Sequence, residues 1–194
     1  MSTLPTNNRT IKYVSIVGIE RAGKCTLLES LKGDPGLAGV HFVHEPGSTP
    51  RADIFRAVLK PKEESVLETV SKESLRRIRD FTISPEVYYH TMMAARHDLL
   101  QTFASGESKS IISDRGHLCT LAYQCYGQEL HDYILYWQED YKRLFQDTGI
   151  NDLHILLDIS PEESVRRRPD RRSTDNFDSA EFSFYKKVRE GYLS

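Results

Sequence analysis

Short apolar runs alternate with longer segments of helical periodicity along this chain. Val14 to Val17 is apolar, too short for a helix, and stops at Gly18. After Gly23 and Lys24, Leu27, Leu28 and Leu31 recur at helical spacing. Val40 to Val43, SIIS at 110–113 and Leu153 to Leu157 read as three further buried strands. Between them the spacing predicts a helix over Arg51 to Leu59 and an amphipathic one over Lys62 to Phe81, with Leu67, Val70, Leu75 and Ile78 on one face. A long helix is expected from Pro85 to Gly106. An aromatic-rich helix should cover Tyr126 to Gln146, with Tyr133, Tyr136, Trp137 and Tyr141 as packing residues. A further helix begins at SPEES, after Asp158. Strands alternating with helices predict an α/β fold, a parallel sheet with helices on both faces and ligand sites at the strands' carboxyl ends. Polar residues 1–11 read as a flexible tail, and 12–194 as a single domain.

The join between the first strand and helix carries chemistry. Gly18 to Lys24 spells G-x-x-x-x-G-K, a loop whose glycines let successive N–H groups and a helix N-terminus converge on one anionic centre. Lys24 adds a mobile positive charge, and a polyphosphate suits that geometry. Cys25 stands where the strict motif places Ser or Thr for magnesium, and a thiol is a poor ligand for a hard cation. Thr26 is turned away by about 100° and is no direct substitute.

Other strand ends bring further candidates. HEPGSTP at 44–50 sets Glu45 at the sheet's carboxyl edge. The third strand delivers Asp114, placed to hold the water shell of a nucleotide-bound magnesium, and Arg115, whose planar fork can clamp a phosphate. Thr120, Tyr123 and Gln124 follow at near-helical spacing above them. RRIR at 76–79 reads as a solvated face. RRRPDRR at 166–172 concentrates five arginines that repel one another unless an anion sits among them, and reads as part of a lid over phosphates spanning about 164–178.

Composition narrows the partners. The 194 residues are 39% hydrophobic and 28% charged, with a net charge of -2, so no general electrostatic case exists for nucleic acid or an acidic membrane. The apolar runs fall short of a membrane span, and the first residues lack the apolar core of a signal peptide, which favours a cytoplasmic protein. Cys25, Cys119 and Cys125 are an odd set with no C-x-x-C pair, as expected of reduced thiols.

In order and spacing, GIERAGKCT at 18–26, HEPGSTP, AAR at 94–96, DRGHLCTLAYQ at 114–124, LLDISPE at 156–162 and the arginine-rich stretch running into Phe184, Arg189 and Tyr192 resemble the thymidylate kinase family of P-loop nucleoside monophosphate kinases. The resemblance runs from about residue 12 to the last. It implies a three-layer P-loop kinase fold, a homodimer, and transfer of a phosphoryl group from ATP, with Mg2+, to thymidine monophosphate. It makes Gly18, Ala22, Gly23, Lys24, Cys25 and Thr26 the ATP-binding loop. It gives Glu45, Arg56, Met92, Arg96, Thr120, Tyr123 and Gln124 to the monophosphate, with Arg96 on the base and Tyr123 under the sugar. Glu20 falls near the acceptor sugar and the metal, which it shares with Asp114. Arg21, Lys24, Arg115 and Arg171 of the lid become the catalytic cations.

Several positions depart from the family's pattern. His44 replaces an arginine, and Met92 stands where a phenylalanine stacks on the base, which leaves a kinase for another deoxynucleoside monophosphate as the alternative. Cys25 also admits a nucleotide-binding homologue with impaired turnover. Members usually carry a transition-state arginine in the phosphate loop or in the lid, and this chain has candidates in both. The family continues into a fifth strand and an adenine-cupping loop, whereas this sequence stops at Ser194, so adenine is expected to be held differently or the protein to be shortened.

Overall fold

Four parallel strands stand in the order β2-β3-β1-β4 in a computed structural model that describes residues 12–59, 83–105, 110–167 and 179–194. The expected tail at 1–11, the helix over 62–81 with its RRIR end, and residues 168–178 of the lid, Arg171 among them, lie outside the described residues.

β1 (Lys12–Val17) is central, pairing with β3 (Ser110–Ser113) on one side and β4 (Asn151–Leu156) on the other. β2 (His41–Val43) is the edge strand beside β3. Period-two alternation divides β1 between two cores. Val14 and Ile16 face α1 (Lys24–Lys32) together with Ile112 and Leu28. Tyr13 and Val17 face the opposite layer, built by α3 (Pro85–Ser105), α4 (His117–Thr120), α5 (Ile134–Tyr141) and α7 (Ser179–Leu193). α2 (Pro50–Leu59) packs on α3, and α6 (Pro161–Arg166) begins at Ser160, whose hydroxyl accepts from the Glu163 N–H at 3.2 Å. The result is the expected α/β arrangement of helices on both faces of a parallel sheet.

One expected element is broken. Tyr126 to Gln146 is not one helix: α4 widens into a π-helical stretch over Leu121–Gly127, a 3-10 turn covers His131–Tyr133, and α5 widens again over Lys142–Gln146. Tertiary packing overrides the periodicity here. A Cβ on Gly127 would meet Phe184 and Val188 of α7 at 2.8 Å, so the helix is shaped to admit α7, and Glu129, at φ 61, turns the chain away.

All four strands point their carboxyl ends to one edge. That edge receives Gly18 after β1, His44 after β2, Asp114 after β3 and Leu157 after β4. It is where an open α/β sheet binds ligands.

Candidate active site

The phosphate loop leaves β1 at Gly18 with φ 145, where a Cβ would stand 2.6 Å from the Leu157 carbonyl at the end of β4. Only glycine fits so close to that backbone. Gly23 enters α1 at φ 97, again outside the range of ordinary side chains. Lys24 turns back over the loop, its Nζ donating to the carbonyls of Gly18 at 2.9 Å and Ile19 at 2.8 Å. Burial, and next the charge of Arg115, push its pKa down. Ala22 is buried, whereas Cys25 and Thr26 are exposed on the first turn of α1.

Arg21 and Glu20 are tied to the helices beyond β4. Arg21 holds φ 61, and its guanidinium reaches the Ser164 carbonyl and the Glu181 carboxylate, each at 3.5 Å. Glu20 accepts from the Tyr185 hydroxyl at 2.6 Å, while its carbonyl accepts from the Ser164 hydroxyl at 2.9 Å. Arg167, the last described residue before the lid's centre, donates to the Arg21 carbonyl at 3.1 Å. The loop is therefore bonded to the segments on both sides of the undescribed stretch.

Across the edge, Pro46, Tyr88, Met92, Arg115, Cys119, Tyr123 and Gln124 line a pocket. Arg115 lies over the Tyr123 ring, 5.8 Å from its centroid, with no carboxylate partner among the described residues. Asp114 accepts from the Glu45 N–H at 3.0 Å and pairs with His44 Nδ1 at 2.9 Å, which ties the ends of β2 and β3 together. Arg56 of α2 donates to the Pro46 carbonyl at 3.0 Å and so braces the same loop.

Beneath the pocket lies a buried ion pair. Arg96 is 1% exposed and Glu45 3%. Arg96 Nε donates to Glu45 Oε2 at 2.7 Å, and Nη1 donates to the Thr120 hydroxyl at 3.0 Å. Nη2 is buried with no hydrogen-bond partner among the described residues. Glu45 Oε1 accepts instead from the Ser113 hydroxyl at 2.9 Å and from the Tyr13 hydroxyl.

The structure thus gathers Gly18 to Thr26, Glu45, Arg56, Met92, Arg96, Asp114, Arg115, Thr120, Tyr123 and Gln124 along one edge of the sheet. Thr120 does not line the pocket with Tyr123 and Gln124; it is fully buried and holds Arg96 from below. Sequence reasoning missed Tyr13, Ser113, Ser164 and Tyr185. The only signal for Tyr13 and Ser113 was a hydroxyl in a buried strand, where it must find a partner.

Asp114 and Glu20 suit magnesium in the chemistry of their donors. Both are carboxylates at the phosphate-loop edge; Asp114 takes one bond at each oxygen and Glu20 takes the Tyr185 hydroxyl at Oε2, so each has lone pairs left. Magnesium takes one or two carboxylates with phosphate oxygens and waters, so an all-protein cage is not needed. None is found among the described residues.

A glycine-lysine phosphate loop and a second pocket on one edge of a parallel sheet define a protein of the P-loop kinase fold. The thymidylate kinase family profile matches residues 16–194, and the chain belongs to that family. It is 32% identical over 188 residues to the thymidylate kinase of Buchnera aphidicola subsp. Acyrthosiphon pisum, covering 94% of this chain and 80% of that one. The thymidylate kinase of Hahella chejuensis is also 32% identical, over 93% and 80% of the two chains. The crystal structure of thymidylate kinase from Ehrlichia chaffeensis superposes with a TM-score of 0.59 at 20% identity, over 95% of this chain and 80% of that one, a likeness of fold.

Proposed function

We propose that this chain transfers the γ-phosphoryl group of ATP to thymidine monophosphate, giving ADP and thymidine diphosphate. The observation that carries this reading is the pair of cations at the sheet edge. Lys24 in the phosphate loop is close enough to Arg115, on the wall of the second pocket, for that charge to lower its pKa. Two cations brought to one edge can share anions, here the donor and acceptor phosphates, with Glu20 beside Lys24 and Asp114 beside Arg115.

The attacking phosphate oxygen is already an anion, so no general base is required and catalysis is positioning plus charge stabilisation. The N–H groups of Gly23 to Thr26 and Lys24 hold the donor phosphates. Arg115 aims the acceptor phosphate, and Tyr123 fixes that guanidinium and packs under the sugar. Met92 and Gln124 flank the base, and Arg96 reads it from below. Arg21 and Arg171 follow the charge that spreads over the transferred group. Asp114 and Glu20 would hold magnesium, in part through water, and when bound it supplies charge neutralisation on the donor oxygens. We place the reaction in the cytoplasm and the working unit as a homodimer. In keeping with a soluble enzyme, no helix among the described residues is long and apolar enough to cross a membrane.

The test is ADP formation from ATP and magnesium with thymidine monophosphate, beside the other nucleoside monophosphates and a no-acceptor control. A clear preference for thymidine monophosphate is the expected result. Turnover favouring another monophosphate, or none that depends on an acceptor, overturns the assignment.

A further inference from the structure

We infer that Tyr13, at the far end of β1 from the phosphate loop, is a positioning residue that keeps Arg96 from closing both of its donors onto Glu45, and so preserves one guanidinium N–H for the acceptor. The inference rests on the acceptor-site reading of Arg96 and adds to it what holds that residue open.

A buried arginine and carboxylate ordinarily meet fork to fork, with two parallel N–H···O bonds. Here they share one. Glu45 Oε2 takes Arg96 Nε at 2.7 Å, while Oε1 is occupied by the Ser113 hydroxyl at 2.9 Å and the Tyr13 hydroxyl. Thr120 holds Nη1 at 3.0 Å. Nη2 is thereby left buried and unpartnered among the described residues. An unmet buried donor is costly unless something supplies an acceptor. Met92, one helical turn before Arg96 on α3, Pro46, next to Glu45, and Cys119, next to Thr120, all line the pocket. A carbonyl oxygen of a base in that pocket is an acceptor of the right kind.

The Tyr13 ring is fully buried and lies 5.6 Å from the Phe145 ring, so the hydroxyl is delivered to Glu45 by core packing. Burial, with the Glu45 charge beside it, pushes the phenol pKa well up, which keeps it a donor. Its second contact, with the Arg115 carbonyl at 3.1 Å, ties the same hydroxyl to the loop carrying the phosphate clamp. Without the Tyr13 hydroxyl, the Ser113 hydroxyl alone holds Oε1, which can then turn onto Nη2. Glu45 and Arg96 then satisfy each other, and the donor is withdrawn from the ligand.

The experiment uses the full chain and Tyr13→Phe, which keeps the ring. Kinetics are run with ATP and whichever nucleoside monophosphate the unmodified chain uses at the lowest KM, and binding of that monophosphate and of ATP is followed by calorimetry. The expected result is about a tenfold rise in acceptor KM and Kd, the size of one hydrogen bond to a charged group, with ATP binding and melting temperature unchanged. Ser113→Ala removes the other donor at the same oxygen and should move acceptor binding the same way. Acceptor binding unchanged in both variants, or equal losses for acceptor and ATP, overturns the inference. A wild-type preference for another base sinks the thymidine assignment without affecting this test, and absence of any monophosphate binding by the unmodified chain sinks both.

Discussion

Lys24 Nζ lies 2.9 Å from the carbonyl oxygen of Gly18, six residues back in the loop that the lysine serves. With the Ile19 carbonyl at 2.8 Å, this bond folds the ammonium over the turn instead of out to solvent. Neutral carbonyls hold an ammonium less strongly than a phosphate does, so the lysine is stored where a polyphosphate can claim it. Lys24→Ala should lower kcat by about 10² to 10³-fold, the usual cost of one aimed donor at a developing charge. Acceptor binding should be retained, since none of the pocket-lining residues bonds to Lys24. Steady-state kinetics beside calorimetric titration with thymidine monophosphate check both halves.

Arg21 separates turnover from binding in a different way. Its contacts to Ser164 and Glu181 are long, 3.5 Å each, so swinging the guanidinium toward the transferred group gives up little. Arg21→Ala is expected to lose turnover by up to about 10³-fold, as for arginine fingers, and less if Arg171 shares the role. Kd values for ATP and the monophosphate should hold. If Arg21→Ala abolishes monophosphate binding instead, the residue belongs to the acceptor site and its assigned role is wrong.

Much of this edge was legible in the chain, for a physical reason. β3 is found at SIIS, and α2 and α3 match the expected helices to within a residue, because apolar period and proline starts are local signals. The phosphate loop, Glu45, Asp114 and Arg115 were legible because glycine and charge directly after a buried strand fall at the carboxyl edge. The π-helical widening at Leu121–Gly127 was not, since it answers to α7, about sixty residues further on. Tyr13 was hidden likewise: its hydroxyl meets a carboxylate 32 residues away, a pairing that no local period records. Nor could the chain show what holds Glu20, since Tyr185, which donates to it, is 165 residues distant.

Acid should loosen the core before it disables the carboxylates. His117 is fully buried, stacked on Trp137 with ring centroids 4.8 Å apart, and its Nε2 meets the Trp137 carbonyl at 3.0 Å. Burial, and next the Arg96 charge, hold its pKa well below the ordinary histidine value, and burial lowers that of His154 too. A histidine with a depressed folded pKa binds fewer protons in the native chain than in the unfolded one once pH falls below about 6.5. Stability therefore rises with pH up to that point and is lost on acidification, by up to about 1.4 kcal/mol per pH unit for each such group. Thermal melts should show the midpoint falling from pH 7 to pH 5. His117→Phe should melt lower at pH 7, having lost its bond to Trp137, but with a shallower acid slope. An unchanged slope would show that His117 does not carry the effect.

Cys25 gives the most direct check on how this loop handles its metal. The thiol is exposed on the first turn of α1, at the position directly after Lys24 where a hydroxyl would meet the magnesium of bound ATP. A soft sulfur contributes little to a hard cation that demands oxygen, so in the proposed site the metal would rely on phosphate oxygens, water and the two acids Asp114 and Glu20. Cys25→Ser supplies the missing oxygen at nearly constant volume on an exposed turn, where stability should shift by no more than about 0.5 kcal/mol. The magnesium concentration at half-maximal turnover should fall severalfold, with acceptor KM unchanged. Bound ATP and magnesium should also shield the native thiol from an alkylating reagent, because the nucleotide phosphates cover that turn. A magnesium requirement identical in the two proteins, with alkylation indifferent to nucleotide, would place the metal away from residue 25 and leave Asp114 and Glu20 as its proposed contacts among the described residues.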